Sequence, residues 1–173
     1  MATDFLALLR RDHDDLERAL AVLVQPTATF DQIRTALDGI RLGLTAHAEA
    51  EDIVLARGFA DVSLVRELET LIGASRAGHL AQEGALASLM CAPPATPGWR
   101  DRARHLRVLV AEHASWEERN VLPTLKALAP EAYGLLAGAF ATERLRQLAM
   151  LQPSGPIYVP EVVQRELAQA RAS

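Results

Sequence analysis

Residues 112–123 read EHASWEERNVLP. His113 and Glu117 are four apart, so on a helix they stand one above the other on a single face. The flanking residues make that face a buried one. Leu106, Leu109 and Val110 lead into the pair along a helical stripe, and Val121, Thr124, Leu125 and Leu128 continue it. An imidazole and a carboxylate therefore stand where a core-facing stripe asks for apolar side chains. A buried carboxylate is costly unless it is hydrogen-bonded, paired with a charge or bound to a metal.

Working outward, Thr96 is an N-cap and Pro97 a first-turn residue for this helix, and CAPPATPG before them (residues 91–98) is a loop. Pro123 is expected to kink the helix or thin its hydrogen bonding just past the pair. Residues 62–90 form another helical segment, with Leu64, Leu68, Leu71 and Ile72 as its apolar side, then His79, Leu86 and Leu89. Glu83 follows His79 by one turn. Residues 30–56 carry Ile33, Leu37, Ile40 and Leu44, and the same rhythm lands next on His47, Glu51 and Val54; Gly58 ends the segment. Residues 3–24 hold Phe5, Leu9, Leu16, Leu20 and Leu23, with His13 on the stripe and Thr3 or Asp4 as N-cap. After Pro130, residues 131–151 offer Tyr133, Leu136, Phe140 and Leu148 for packing, and residues 160–170 suit a last helix.

The expected fold is all-α: an up-down-up-down antiparallel four-helix bundle with additional C-terminal helices. The first four segments are long, up to roughly 45 Å if fully helical, and their connections are short. Residues 1–128 make the bundle, and residues 129–173 a helical extension packed on or beside it.

Composition agrees. The 173 residues suit one domain, half of them are hydrophobic, and aromatics are only 5%. A formal net charge of −4 with mixed charges leaves no basic footprint for nucleic acid and no membrane-surface patch. Cys91 is the single cysteine, which excludes an internal disulfide framework or a Cys-rich zinc module. Neither a signal peptide nor a membrane span is apparent, so a cytoplasmic location is expected.

The two halves repeat one constellation. His13, His47 and Glu51 are separated by 34 and 4 residues, and so are His79, His113 and Glu117, the whole triplet displaced by 66. In an antiparallel bundle, residues at matched heights converge on one point of the core. The first and third helices each supply a histidine; the second and fourth each supply a histidine and a glutamate. A lone histidine on an apolar face is most often a satisfied core residue, and one HxxxE pair is often a surface contact. Six such residues with a duplicated spacing and two buried carboxylates weigh toward one or two metal ions, for which imidazole and carboxylate suit iron, zinc or copper.

The pattern His13, His47-Ala-Glu-Ala-Glu51, His79, His113-Ala-Ser-Trp-Glu117 resembles the hemerythrin-like, or HHE cation-binding, family, and EERNVLPTL after His113 is similar to it too. The likeness covers residues 4–128. It implies two iron ions in an oxo- or hydroxo-bridged di-iron centre, with Glu51 and Glu117 bridging and His13, His47, His79 and His113 as terminal ligands. It also implies a small diatomic or peroxide ligand, with roles in oxygen binding, nitric oxide or peroxide response, or iron handling. The chain departs from the oxygen carriers of that family. It has Glu83 where they have a second third-helix histidine, and HxxxE where they have HxxxxD. Glu83 is either a further ligand, making the centre harder and more suited to redox chemistry, or a surface residue beside Arg76 or Arg104. The Glu-x-x-His motif of ferritin-like di-iron bundles is absent, because Arg10, Leu44, Arg76, Arg102 and Val110 stand three before the five histidines.

Four further residues lie near the pattern. His105 falls among arginines at the flank of the stripe and is expected at the surface. Trp116, three after His113, is a candidate wall of the pocket, with ordinary boundary packing as the preferred reading. Asp52 and Glu118 each follow a proposed bridging glutamate; they are candidates to accept from ligand imidazoles, but a neighbour in sequence points roughly 100° away on a helix, which favours solvent. Three functions stay open, in this order: a di-iron binding module for a small molecule or iron, a di-iron enzyme decomposing peroxide or reducing nitric oxide, and a structural bundle holding zinc or no metal.

Overall fold

The computed structural model describes residues 4–60 and 66–151, and its regular structure there is entirely helical. Helix α1 spans Phe5–Val24, α2 Phe30–Gly58, α3 Arg66–Met90 and α4 Pro97–Trp116. A single π-helical turn, Glu117–Val121, then leads directly into α5, Leu122–Leu128, and α6 follows at Pro130–Leu151. The expected start of the third segment at Val62, the alternative cap Thr3 and the helix expected at residues 160–170 lie outside the described residues.

Local chemistry sets the boundaries. Thr29 opens α2 with a reciprocal capping box: its hydroxyl accepts from the Gln32 N–H at 3.3 Å, and the Gln32 side-chain oxygen accepts from the Thr29 N–H at 2.8 Å. Thr96 caps α4 by accepting from the Trp99 N–H at 3.2 Å, and Pro97 sits in the first turn, where no N–H is needed. Asp4 stands at the N-cap of α1 without a side-chain capping bond; its carboxylate lies 3.7 Å from Lys126 instead. Gly58 closes α2, and a side chain there would press into Leu136 of α6 at 2.8 Å.

The residues ahead of Pro123 widen into the π turn. Pro123 has no N–H to donate, and its ring would crowd the carbonyl a turn earlier. The Leu122 N–H bonds back to the Glu117 carbonyl, five residues away, which relieves both problems. The turn shifts the phase of the buried stripe. Val121 and Leu125 stay in the core as expected, but Leu122 joins them, and Leu128, expected to be buried, is 47% exposed.

Helix α1 packs against α2 and α4, α3 packs against α4 and α2, and α6 lies along α2. Two apolar cores result. One gathers Phe5 and Leu9 of α1, Val54 and Leu55 of α2, Leu68 of α3, Val121, Leu122 and Leu125, and Tyr133, Leu136 and Phe140 of α6. The other gathers Leu16 and Leu20, Ile40 and Leu44, Leu86 and Leu89, and Trp99, Leu106 and Val110. Along every one of the first four helices a polar segment lies between the two. No helix among the described residues is long and apolar enough to cross a membrane.

Candidate metal centre

The polar layer consists of His13 on α1, His47 and Glu51 on α2, Ser75, His79 and Gln82 on α3, and His113 and Glu117 around the end of α4. Helical spacing makes this layer: each residue replaces an apolar one in a stripe that resumes a turn later. Both glutamates are wholly buried, and His47 and His79 are almost so. Neighbouring imidazoles stand edge to face, with ring centroids 5.0 Å apart for His13 and His47, 6.1 Å for His47 and His79, and 4.6 Å for His79 and His113. The structure brings all six residues of the duplicated pattern together.

Their Nε2 atoms turn inward onto the two carboxylates. His47 Nε2 is 3.6 Å from Glu51 Oε2, His13 Nε2 is 3.6 Å from Glu117 Oε2, and His79 Nε2 is 3.9 Å from an oxygen of each. His113 Nε2 comes within 2.9 Å of Glu117 Oε1, near enough for charge attraction though not aligned as a hydrogen bond. Donor atoms of His47, Glu51, His79 and Glu117 all lie within 4.8 Å of one another, a span that a metal ion could fill.

The Nδ1 atoms turn outward, and three of them meet carboxylates. His13 Nδ1 pairs with Glu118 at 3.0 Å, His79 Nδ1 with Asp52 at 2.9 Å and His47 Nδ1 with Asp12 at 3.4 Å. An ionised carboxylate only accepts, so the proton belongs on Nδ1 and the Nε2 lone pair faces the centre. That is the orientation a metal-ligating imidazole needs. Each carboxylate is held in turn by an arginine: Glu118 by Arg10 at 2.8 Å, Asp52 by Arg76 at 3.7 Å and Asp12 by Arg144 of α6.

This corrects the expectation that Asp52 and Glu118 face solvent. The rotation of about 100° from the preceding glutamate does carry each off its own helix's core face. It aims them at the histidine of the adjacent helix, and not at water. The repeat contained the signal, since Asp52 and Glu118 are themselves 66 residues apart. Asp12 had no such signal, because its equivalent in the second half is Gly78.

The electrostatics show a site unfinished by protein atoms alone. Both oxygens of Glu51, Glu117 Oε2 and the four Nε2 atoms are buried without hydrogen-bond partners. Burial, with the charge of Glu117 beside it, pushes the Glu51 carboxyl well up. Glu117 shares that burial, but His113, the charge of His79 and a hydrogen bond donated by the Ser75 hydroxyl outweigh it and pull its carboxyl down. Burial lowers His47 to about 4, against the opposing pull of Asp12. The closer approach of His113 to Glu117, 2.9 Å against 3.6 Å for His47 to Glu51, leads the difference between the glutamates, and the Ser75 hydroxyl adds to it where Leu9 stands in the first half. Orphaned buried carboxylate and imidazole atoms of this kind are costly in a dry interior, and cations would satisfy them together. Four imidazoles and two carboxylates form a donor set fit for iron or zinc.

The remaining residues separate. Glu83 is exposed and lies outside the buried cluster; Gln82, one position earlier, faces the core instead. His105 and Cys91 are exposed. Trp116 goes beyond ordinary boundary packing: it stacks on His113 at 6.4 Å and walls a pocket beside it.

A family model described as the hemerythrin HHE cation binding domain matches residues 4–125. Neither the curated proteins nor the solved structures contain a match to the chain.

Proposed function

The chain belongs to the hemerythrin HHE cation-binding domain family, and from that premise and the geometry of the cage we propose that it is a non-haem di-iron protein that binds or responds to a small molecule. His13, His47, His79, His113, Glu51 and Glu117 would hold the irons. The carrying observation is the set of inward Nε2 and carboxylate oxygen atoms left without partners in a buried layer. When bound, iron supplies Lewis-acid and redox chemistry and an open position for dioxygen, nitric oxide or peroxide.

The chain's own residues do the rest. Asp12, Asp52 and Glu118 fix three imidazoles in the tautomer that presents Nε2. His113, His79 and the Ser75 hydroxyl hold Glu117 charged, and the two apolar cores exclude bulk water from above and below. With Glu83 at the surface, a five-histidine set of the oxygen-carrier type is not favoured, and a sensing or storage role fits better than carriage.

The same reading takes α1 to α4 as an up-down-up-down antiparallel bundle over residues 1–128, with residues 129–173 as an extension of it. Core membership supports this. Helices α1 and α3 place their N-terminal halves in the first core, whereas α2 and α4 place theirs in the second.

Metal analysis and visible spectroscopy of the purified protein test the reading. They should find about two irons per chain and near-ultraviolet charge-transfer bands. Glu51→Ala and Glu117→Ala should each lose much of that iron. A colourless, zinc-loaded protein, or full iron in both variants, would refute the di-iron assignment.

A further inference from the structure

The support around the four histidines is broken at one corner. His13, His47 and His79 are each backed by a carboxylate, and each of those carboxylates by an arginine. Among the described residues, the Nδ1 side of His113 is backed by neither. The residue that stands where Asp12 stands in the first half is Gly78, and a Cβ there would overlap the His113 ring at Nδ1. Among the described residues, no side chain closes the space between α3 and α4 at this level.

An open pocket of about 280 Å³ lies there instead. Ala74, Gly78 and Ala81, on one face of α3, form one wall; Leu109 and Trp116 of α4 form the other; His113 is its base. The His113 side chain is 9% exposed; its ring lines this pocket with Nδ1 against Gly78, where no side chain of the described residues hydrogen-bonds it. The lining is apolar apart from Glu112, whose negative charge disfavours anions. At the opposite edge of α3 the surface is different: Glu49, Asp52, Arg76 and Glu83 surround His79.

We propose that the pocket between α3 and α4 at Gly78 is the port through which a small uncharged molecule reaches the His113 side of the centre. Small residues on α3 keep the wall low, the stacked Trp116 keeps the imidazole in place, and the missing carboxylate leaves that corner without the ionic plug that seals the other three. The identity of what the port serves rests on the metal reading above; the port itself does not.

Two measurements on the full-length protein test it. In the metal-free form, diethylpyrocarbonate should modify His113 about tenfold faster than His47 or His79, because only its Nδ1 is both unpartnered and reachable. Exposed His105 provides the internal reference for full reactivity. In the ferrous form, Ala74→Phe and Ala81→Leu, both at exposed positions, should slow nitric oxide association about tenfold at unchanged iron content, while Ala56→Leu at the acidic edge leaves it unchanged. His113 reacting no faster than His47 and His79 would overturn the port. An association rate that ignores both α3 substitutions, or falls equally with Ala56→Leu, would do the same. A protein that takes up no iron refutes the metal reading, and the modification rates of the metal-free form still decide the port.

Discussion

Burial holds His47 neutral down to about pH 4, whereas an imidazole in the unfolded chain takes its proton near 6.5. A base lowered in this way costs stability below its unfolded value, so in the metal-free protein His47 makes stability rise with pH until about 6.5 and adds nothing beyond. Glu51 acts in the opposite sense. Its carboxyl is raised above the unfolded value of 4.5, so its contribution is complete below that value and is lost as pH rises toward the folded value. Glu117 is lowered and contributes fully from pH 4.5 upward. Above pH 6.5 the gain from His47 is complete and no longer offsets what Glu51 removes, so metal-free stability should cease to rise. Urea unfolding of the metal-free protein across neutral pH measures this, and Glu51→Gln should be more stable than wild type at neutral pH. A wild-type midpoint that keeps climbing above pH 6.5 would contradict the assignment. At this scale the histidines and glutamates were readable from spacing. Asp52 and Glu118 were legible only as candidates and Asp12 not at all, because a helical wheel gives a direction and not the neighbour waiting there.

The π turn links an element boundary to the site. Glu117 and Glu118 are its first two residues; one enters the polar layer and the other reaches His13 on α1. Pro123 was legible as a disturbance, but its consequence was not, since a lost N–H can be met by a kink, a break or a wider turn. The widened turn also explains why Leu122 displaced Leu128 from the core. Pro123→Ala restores an N–H and lets the ordinary α spacing compete. We expect helix content by circular dichroism to be unchanged and iron affinity to fall several-fold as Glu118 rotates away from His13. Unaltered affinity would mean that the turn is held by packing around Val121 and Leu122 alone.

For the molecule as a whole, the family match ends at residue 125, but the first core does not. Tyr133 and Phe140 of α6 pack edge to face on Phe5 at 5.9 and 5.6 Å, and Phe140 also meets His47 at 5.7 Å. Arg144 reaches the same histidine through Asp12. Removing residues after 128 would uncover these rings and free a partly buried carboxylate. The truncated chain should be several kcal/mol less stable and prone to aggregate. Phe140→Ala alone should cost about 3 kcal/mol in chemical unfolding. A truncated chain with full stability would show residues 1–128 to be self-sufficient.

Helical periodicity and a spacing repeated at 66 residues sufficed to identify an all-helical chain, a polar layer of six residues and a metal-binding family. Those features are local or additive: each depends on which face of its own helix a residue occupies. Which side chain backs which histidine, and which corner lacks backing, was decided only when the helices packed. The 66-residue repeat equates Asp12 with Gly78 and Leu9 with Ser75, but a difference between equivalent positions acquires meaning only against its neighbours. Gly78 matters because the His113 ring lies on it, and Ser75 because its hydroxyl meets Glu117. Contacts between helices depend on axial offset and rotation, and those are set by packing across the whole core, including an α6 whose apolar residues the sequence offered but whose place along α2 it did not give.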